Sequence, residues 1–170
     1  MTDYFDMTGK VVLVTGGSRG LGRDMALAFA NQGADIIVAS RKLEDCEKAC
    51  REIEGMGRKA LAQACNVSKW DDLERLVEAA YLAFGRVDVL INNAGISPVA
   101  PSSLETSEAL IDKILAVNFK GPFRLMSLIG TRMVEAGGGS IINISSIGAI
   151  RPTPDIAPYA GAKAGLNAIT

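Results

Sequence analysis

The sequence predicts an α/β protein: a doubly wound parallel sheet of five strands in a three-layer α/β/α arrangement. Three observations predict it. Short β-branched or apolar runs alternate with helical patterns along the whole 170-residue chain. Each crossover is long enough for a right-handed β-α-β unit. The first apolar run breaks into a glycine-rich turn and then a helix, which is how a parallel sheet offers a helix N-terminus to an anionic ligand.

The elements follow in order. Residues 11–22 read VVLVTGGSRGLG, with Val11, Val12, Val14 and Thr15 as the first strand and a helical pattern over 23–30 after the glycines. Gly33 stops that helix. Residues 35–39 form a short buried strand, and 42–56 a second helix closed by Gly55 and Gly57. Residues 59–65 are a third strand, alanine-rich and therefore weaker. Asn66-Val67-Ser68 is a turn with Ser68 as the expected helix cap. The helix over 69–84 places Leu73, Leu76, Val77, Ala80 and Tyr81 on one face, and Gly85 ends it. Residues 87–91 are a fourth strand, apolar except for Asp88, and run into Asn92-Asn93-Ala94-Gly95. A loop with Pro98 and Pro101 covers 96–106. A long helical region spans 107–136, with a kink expected near Gly121-Pro122. It is apolar nearly all round, which predicts burial on more than one side and hence a partner subunit. Residues 140–144 form the fifth strand, followed by Ser145-Ser146, a loop with Pro152, Pro154 and Pro158, and a helix from Tyr159. That helix meets neither Gly nor Pro before Thr170, so the chain reads as a single domain over 1–170, cut short at its C-terminus.

Composition removes several function classes. A net charge of −1 gives no reason to expect nucleic acid or an anionic membrane as partner. No apolar run is long enough for a transmembrane helix. The first ten residues lack the basic and apolar parts of a secretory signal, so a cytoplasmic protein is expected. Cys46, Cys50 and Cys65 form no C-x-x-C and no metal cluster. The chain has no histidine, which excludes a Ser-His-Asp triad and His-ligated zinc. Acid–base chemistry near neutral pH needs another side chain.

Two stretches can carry chemistry. The glycine turn has the spacing Gly16-x-x-x-Gly20-x-Gly22, which is neither G-x-G-x-x-G nor a Walker loop, since Arg23 and Asp24 stand where Lys and Ser/Thr are required. It is either a nucleotide cradle or a turn that lets strand and helix pack. The second is Tyr159-x-x-x-Lys163. Residues i and i+4 share a helical face, and an ammonium beside a phenol lowers the tyrosine pKa from about 10. Such a tyrosine can exchange protons where histidine is absent. The pair opens a helix just after the fifth strand, where the carboxyl ends of parallel strands form a ligand crevice. Ser146 lies beside the same strand end and can bond a substrate oxygen or serve as a turn cap. Asn118, inside the long apolar helix, needs a use for its amide.

These residues together resemble the short-chain dehydrogenases/reductases, NAD(P)-dependent enzymes with a Rossmann-type sheet. The matching features are Thr15-Gly16-Gly17-Ser18-Arg19-Gly20-Leu21-Gly22, Asn92-Asn93-Ala94-Gly95, Asn118, Ser146, and Tyr159 with Lys163, in family order over essentially the whole chain. The nearest resemblance is to 3-oxoacyl-carrier-protein-reductase-like members and to sugar-alcohol or hydroxysteroid relatives. The resemblance implies hydride transfer between a nicotinamide and a carbonyl or secondary-alcohol substrate. Tyr159 is then the general acid or base, Lys163 its partner and a holder of the nicotinamide ribose, Ser146 the group that polarises the carbonyl, and Asn118 the holder of a water in the proton relay. Gly16, Ser18, Arg19, Gly20, Leu21, Gly22, Asn93, Ala94 and Gly95, with Tyr159 and Lys163, are the implied cofactor contacts.

Departures from the family pattern are informative. Asn66, followed by Val67, stands where an acidic residue usually meets adenine, and its side-chain oxygen is expected to serve. Ser40 and Arg41 stand where an NAD enzyme has a carboxylate for the ribose 2′-hydroxyl. Arg19 and Arg41 can pair a 2′-phosphate, so NADP(H) is expected over NAD(H). Two strands and a substrate-covering segment usual in the family are not in this sequence. A homodimer or homotetramer is expected from the long helix and from the resemblance, and no metal is expected.

Overall fold

The computed structural model describes residues 4–170; the first three residues of the polar N-terminal stretch lie outside it. The elements are β1 (Val11–Thr15), α1 (Gly20–Asn31), β2 (Asp35–Ser40), α2 (Leu43–Gly55), β3 (Ala60–Ala64), α3 (Trp70–Phe84), β4 (Val89–Asn92), α4 (Glu108–Leu115), a π turn (Ala116–Lys120), α5 (Gly121–Glu135), β5 (Ser140–Asn143), two 3₁₀ turns (Ile147–Ala149 and Pro154–Ile156) and α6 (Ala157–Ala168). All strand pairs are parallel, in the order β3-β2-β1-β4-β5. The doubly wound sheet is therefore as the sequence predicts.

The alternation of side chains across the strands builds the two helix layers. Val11 and Leu13 of β1, Ile37 of β2 and Leu90 of β4 pack with Leu73, Leu76, Leu125 and Ile129 of α3 and α5. Val12, Val14, Ile36, Val38 and Ile91 pack with Ala26 and Ala30 of α1 and with Cys46, Ala49 and Ile53 of α2 on the other face. Apolar burial on both faces is why the inner strands are nearly continuous runs of Val, Ile and Leu. The strand order reverses between β1 and β4, so a crevice opens at their carboxyl ends.

Several boundaries differ from the sequence reading, each for a local reason. α1 starts at Gly20, inside the glycine turn. β4 starts at Val89: buried Asp88 stands before it, its carboxylate accepting from Val11 N at 2.9 Å and from Arg86. Cys65 lies one residue past β3, although its N–H still reaches Ser40 O at 2.8 Å. Ser68 does not cap α3. The N-cap is Lys69 without a side-chain bond, because the Ser68 hydroxyl donates to Asn66 Oδ1 at 2.9 Å. The long helix is interrupted near Gly121-Pro122, by a π turn over Ala116–Lys120. Gly121 N–H bonds Ala116 O, five residues back, and Pro122 is the second residue of α5, in the first turn where a missing N–H is tolerated. The proline loop contains two 3₁₀ turns, and α6 begins at Ala157, with Pro158 in its first turn. Helical geometry ends at Ala168, and the Thr170 hydroxyl donates to Leu166 O at 2.7 Å. Along α5, Leu125, Ile129 and Met133 are buried while Phe123 and Val134 face outward. Among the described residues no helix is long and apolar enough to cross a membrane, and no cluster of metal-ligating side chains occurs.

Candidate active site

Thr15 joins the two loops that form the crevice. Its hydroxyl oxygen accepts the N–H groups of Asn93 and Ala94 at 3.0 and 3.1 Å and donates to Ile91 O at 3.3 Å. Asn93 returns a bond from Nδ2 to Thr15 O at 3.0 Å. These bonds press the glycine turn against the Asn92–Gly95 segment so closely that Gly22 has no room for a side chain. A Cβ there would overlap the Gly16 carbonyl oxygen and lie 2.5 Å from Asn93 Nδ2. α1 starts from Arg19 with no side-chain cap, so its first N–H groups remain for a ligand. Thr15 was not among the expected site residues. The signal for it was a hydroxyl at the buried end of an apolar strand.

A cleft of about 620 Å³ opens over this junction. Gly16, Ser18, Arg19, Leu21 and Gly22 form one wall, Ser40, Arg41, Asn66 and Val67 a second, and Asn93, Ala94 and Gly95 a third. Gly20 alone of the expected turn residues is not in the wall; its φ of 51° makes the turn itself. The cleft also takes in Lys42, Asp45, Cys65, Ser68, Ile96, Lys113 and Val117, which sequence reasoning missed. Lys113 and Val117 reach it from α4 and the π turn, far along the chain from the other walls.

Charge in the cleft is uneven. Arg19, Arg41 and Lys42 line it, and among the described residues none of the three has an ion-pair partner. The one carboxylate in the wall, Asp45, is 3.5 Å from Lys48. Ser40 Oγ lies 3.1 Å from Cys46 Sγ. Burial pushes the Cys50 and Cys65 thiols up to about 12 and raises Cys46 as well, which makes all three poor nucleophiles. Asn66 is held within its own turn. Its Oδ1 accepts from both Ser68 N (3.2 Å) and Ser68 Oγ (2.9 Å). Both lone pairs of that oxygen are thus taken within the turn, and the side-chain NH₂ is free of partners in the turn.

Asn118 and Lys163 approach Gly95. A Cβ on Gly95 would lie 3.0 Å from Asn118 Oδ1 and 3.8 Å from Lys163 Nζ. Asn118 is fully buried. Its Oδ1 accepts from Ile96 N at 3.1 Å, and its Nδ2 donates to Ile96 O at 2.8 Å and Ile114 O at 3.0 Å. Both amide hydrogens are thus used, one on Ile96 in the loop after β4 and one on the Ile114 carbonyl of α4. Lys163 is 3% exposed. Its ammonium donates to Ile144 O at 2.6 Å and sits 6.0 Å from the centre of the Tyr159 ring; burial lowers its pKa. Ser146 caps the first 3₁₀ turn, accepting from Gly148 N at 3.1 Å. A Cβ on Gly148 would be 3.4 Å from Ser146 Oγ and 3.8 Å from Tyr159 Cε1, so the serine and the tyrosine flank the same glycine.

Residues 10–170 match the family described as short chain dehydrogenase. The chain belongs to that family. Human dehydrogenase/reductase SDR family member 4 is 35% identical over 170 residues, all of this chain and 61% of that protein. The 3-oxoacyl-[acyl-carrier-protein] reductase FabG of Thermotoga maritima is 35% identical over 164 residues, 96% of this chain and 66% of that one. The chain therefore spans less than two thirds of the length of these relatives. A metagenomic short-chain oxidoreductase crystallised with NADP superposes with a TM-score of 0.92 at 35% identity, covering 96% of this chain and 74% of the other. NAD⁺-bound xylitol dehydrogenase does so with a TM-score of 0.92 at 27% identity, covering 96% and 63%. In this short-chain dehydrogenase chain, β1 and β4 build the cleft; Asn118 of the π turn and Lys163 of α6 approach Gly95 in its wall, Ser146 and Tyr159 meet at Gly148, and none of these four side chains is itself part of the cleft lining.

Proposed function

We propose that the protein is an NADP(H)-dependent oxidoreductase that moves a hydride between a nicotinamide and a carbonyl or secondary-alcohol carbon, with residues 1–170 as one dinucleotide-binding domain. The observation that carries this reading is the meeting at Gly95, which lines the cleft and is approached by both Asn118 and Lys163.

The residues present fit the cofactor. The uncapped start of α1 and the side-chain-free approach at Gly22 suit a pyrophosphate. Arg19, Arg41 and Ser40 suit a 2′-phosphate, and Asn66 and Val67 the adenine. Ser18, Gly20 and Leu21 shape the turn, and Asn93, Ala94 and Gly95 the nicotinamide side. When bound, the cofactor supplies or takes up the hydride.

The chain's own groups manage the proton. Ser146 uses an oxygen lone pair on Gly148 N–H, which leaves its O–H free to polarise a substrate carbonyl. Tyr159 gives its phenolic proton to that oxygen in reduction and takes one back in oxidation. The Lys163 ammonium stabilises the phenolate left behind by simple Coulomb attraction, and two of its three N–H groups remain for ribose hydroxyls. Asn118 holds Ile96 with its amide. A water that continues the proton path from Lys163 would have to bond an oxygen of Asn118, because both amide hydrogens are spent. Pro122 has no N–H to give the Asn118 carbonyl four residues earlier.

Both NADP and NAD⁺ occur among the similar structures, so the preference rests on the unpaired cations of the cleft. Titration should show tighter binding of NADPH than of NADH. Arg19→Ala or Arg41→Ala should each weaken NADPH by about 10- to 100-fold, the worth of a hydrogen bond to a charged group, with little change for NADH. Equal affinity, or tighter NADH, would overturn the preference. Assembly as a homodimer or homotetramer belongs to the same proposal. Light scattering should report two or four chain masses, and a monodisperse monomer refutes it.

A further inference from the structure

We infer that Cys46 is a positioning residue for cofactor recognition: from behind the cleft wall its thiol donates to Ser40 Oγ, which leaves the Ser40 hydroxyl hydrogen for a ribose 2′-phosphate. This rests on the NADP(H) reading above and adds to it a residue outside the cleft. Ser40 ends β2 and lines the cleft. Cys46, near the start of α2, is fully buried between that helix and the sheet and is not part of the cleft lining. Its Sγ lies 3.1 Å from Ser40 Oγ. The other oxygens near the sulfur are farther away, Gln63 O at 3.7 Å and Ser40 O at 4.0 Å, and Ser40 O already accepts the Cys65 N–H at 2.8 Å. The serine hydroxyl is thus the nearest of the three oxygens to the thiol.

The direction of that bond decides what Ser40 can do. A hydroxyl has one hydrogen to give and two lone pairs to fill. A fully ionised phosphate only accepts, so Ser40 serves it only with its hydrogen turned outward and its lone pairs turned toward the core. There the Cys46 S–H fills one of them, and a bond received from behind also polarises the O–H. Burial raises the Cys46 pKa, so the thiol keeps the proton it donates. The competing partner of the hydroxyl is Lys42 O at 3.5 Å, an acceptor that draws the hydrogen back onto the chain. The ribose of NADH carries a 2′-hydroxyl instead, which can give or take a hydrogen bond. It therefore depends less on which way the Ser40 hydrogen points. Cys46 favours the phosphorylated cofactor without touching it.

The test is a pair of titrations, NADPH and NADH, on the unmodified protein and on Cys46→Ala, Cys46→Val and Cys46→Ser. Ala and Val both remove the donor, one leaving space and the other filling it, and either suffices where the other does not fold. Each should narrow the preference for NADPH over NADH by about 2- to 10-fold, the net worth of one hydrogen bond. Ser keeps a donor and should retain the preference within about twofold. In a Ser40→Ala background the same substitutions should leave the preference where Ser40→Ala alone puts it, which separates an effect through Ser40 from a general loosening of α2. An unchanged preference in the donor-free variants overturns the inference, and so does the same narrowing in the Ser40→Ala background. A widened preference overturns it too, since the thiol would then be drawing the serine hydrogen inward. Equal affinities in the unmodified protein overturn the NADP(H) preference itself, and the inference falls with it.

Discussion

Tyr159→Phe should lower turnover by about 10²- to 10⁴-fold, the range for losing a general acid or base, and leave NADPH affinity unchanged. The substitution removes one hydroxyl and keeps the ring whose centre lies 6.0 Å from Lys163 Nζ, so the packing of α6 against the first 3₁₀ turn survives. No histidine is present to take over the proton. Steady-state kinetics and a fluorescence titration of NADPH decide it together. Near-normal turnover in the variant sinks the mechanism, whereas loss of both activity and binding points to a disturbed cleft. The pH profile is a second readout. Lys163 must carry its charge to stabilise the phenolate, and burial lowers its pKa. Activity should therefore fall, as pH rises, below the range where an ordinary lysine deprotonates; a limb at or above that range contradicts the role. The linked stability effect has a definite sign. A lysine whose folded pKa is depressed imposes its full cost below that folded pKa, and the cost fades as pH rises toward the unfolded value.

Gly22→Ala should destabilise the fold by about 3 kcal/mol, the upper range of ordinary overpacking, and lower Tm by roughly 6–12 °C for a chain of this size. The added methyl meets the Gly16 carbonyl oxygen and Asn93 Nδ2 at once. One is backbone, and the other is held by its bond to Thr15 O, so neither can yield as the end of a flexible side chain would. Relief requires the glycine turn to move away from the loop after β4, which opens the proposed pyrophosphate site. Weak NADPH binding should therefore accompany the loss of Tm. Calorimetry showing an unchanged Tm would mean that the two loops are not locked together. Ala at Gly55, where a Cβ meets nothing within 4 Å, is the matched control.

Much of this was legible in the chain because it depends on local order. The β-branched run at Val11, Val12 and Val14 could form little but an inner strand, and Gly33 and Gly85 marked helix ends through the positive φ they supply. Tyr159 and Lys163 share a helix face by spacing alone. The expectations that failed needed knowledge of a partner elsewhere. Ser68 reads as a cap by residue type, but its hydroxyl turns toward Asn66. The proline at 122 marked the neighbourhood of the interruption, but not that it takes the form of a π turn over Ala116–Lys120.

The sequence by itself determined the α/β class, the strand-turn-helix at residues 11–22 and the identity of the candidate chemical groups, since these follow from periodicity, glycine placement and side-chain type. Only the tertiary structure decided that Thr15 ties the two cleft loops, that Asn118 divides its amide between Ile96 and Ile114, that Lys113 and Val117 enter the cleft, and that Ile156 packs against Gly148. Each of these joins residues distant in the chain or across a turn. Their contacts are set by how the strand ends and helices pack, which no local pattern of side chains encodes.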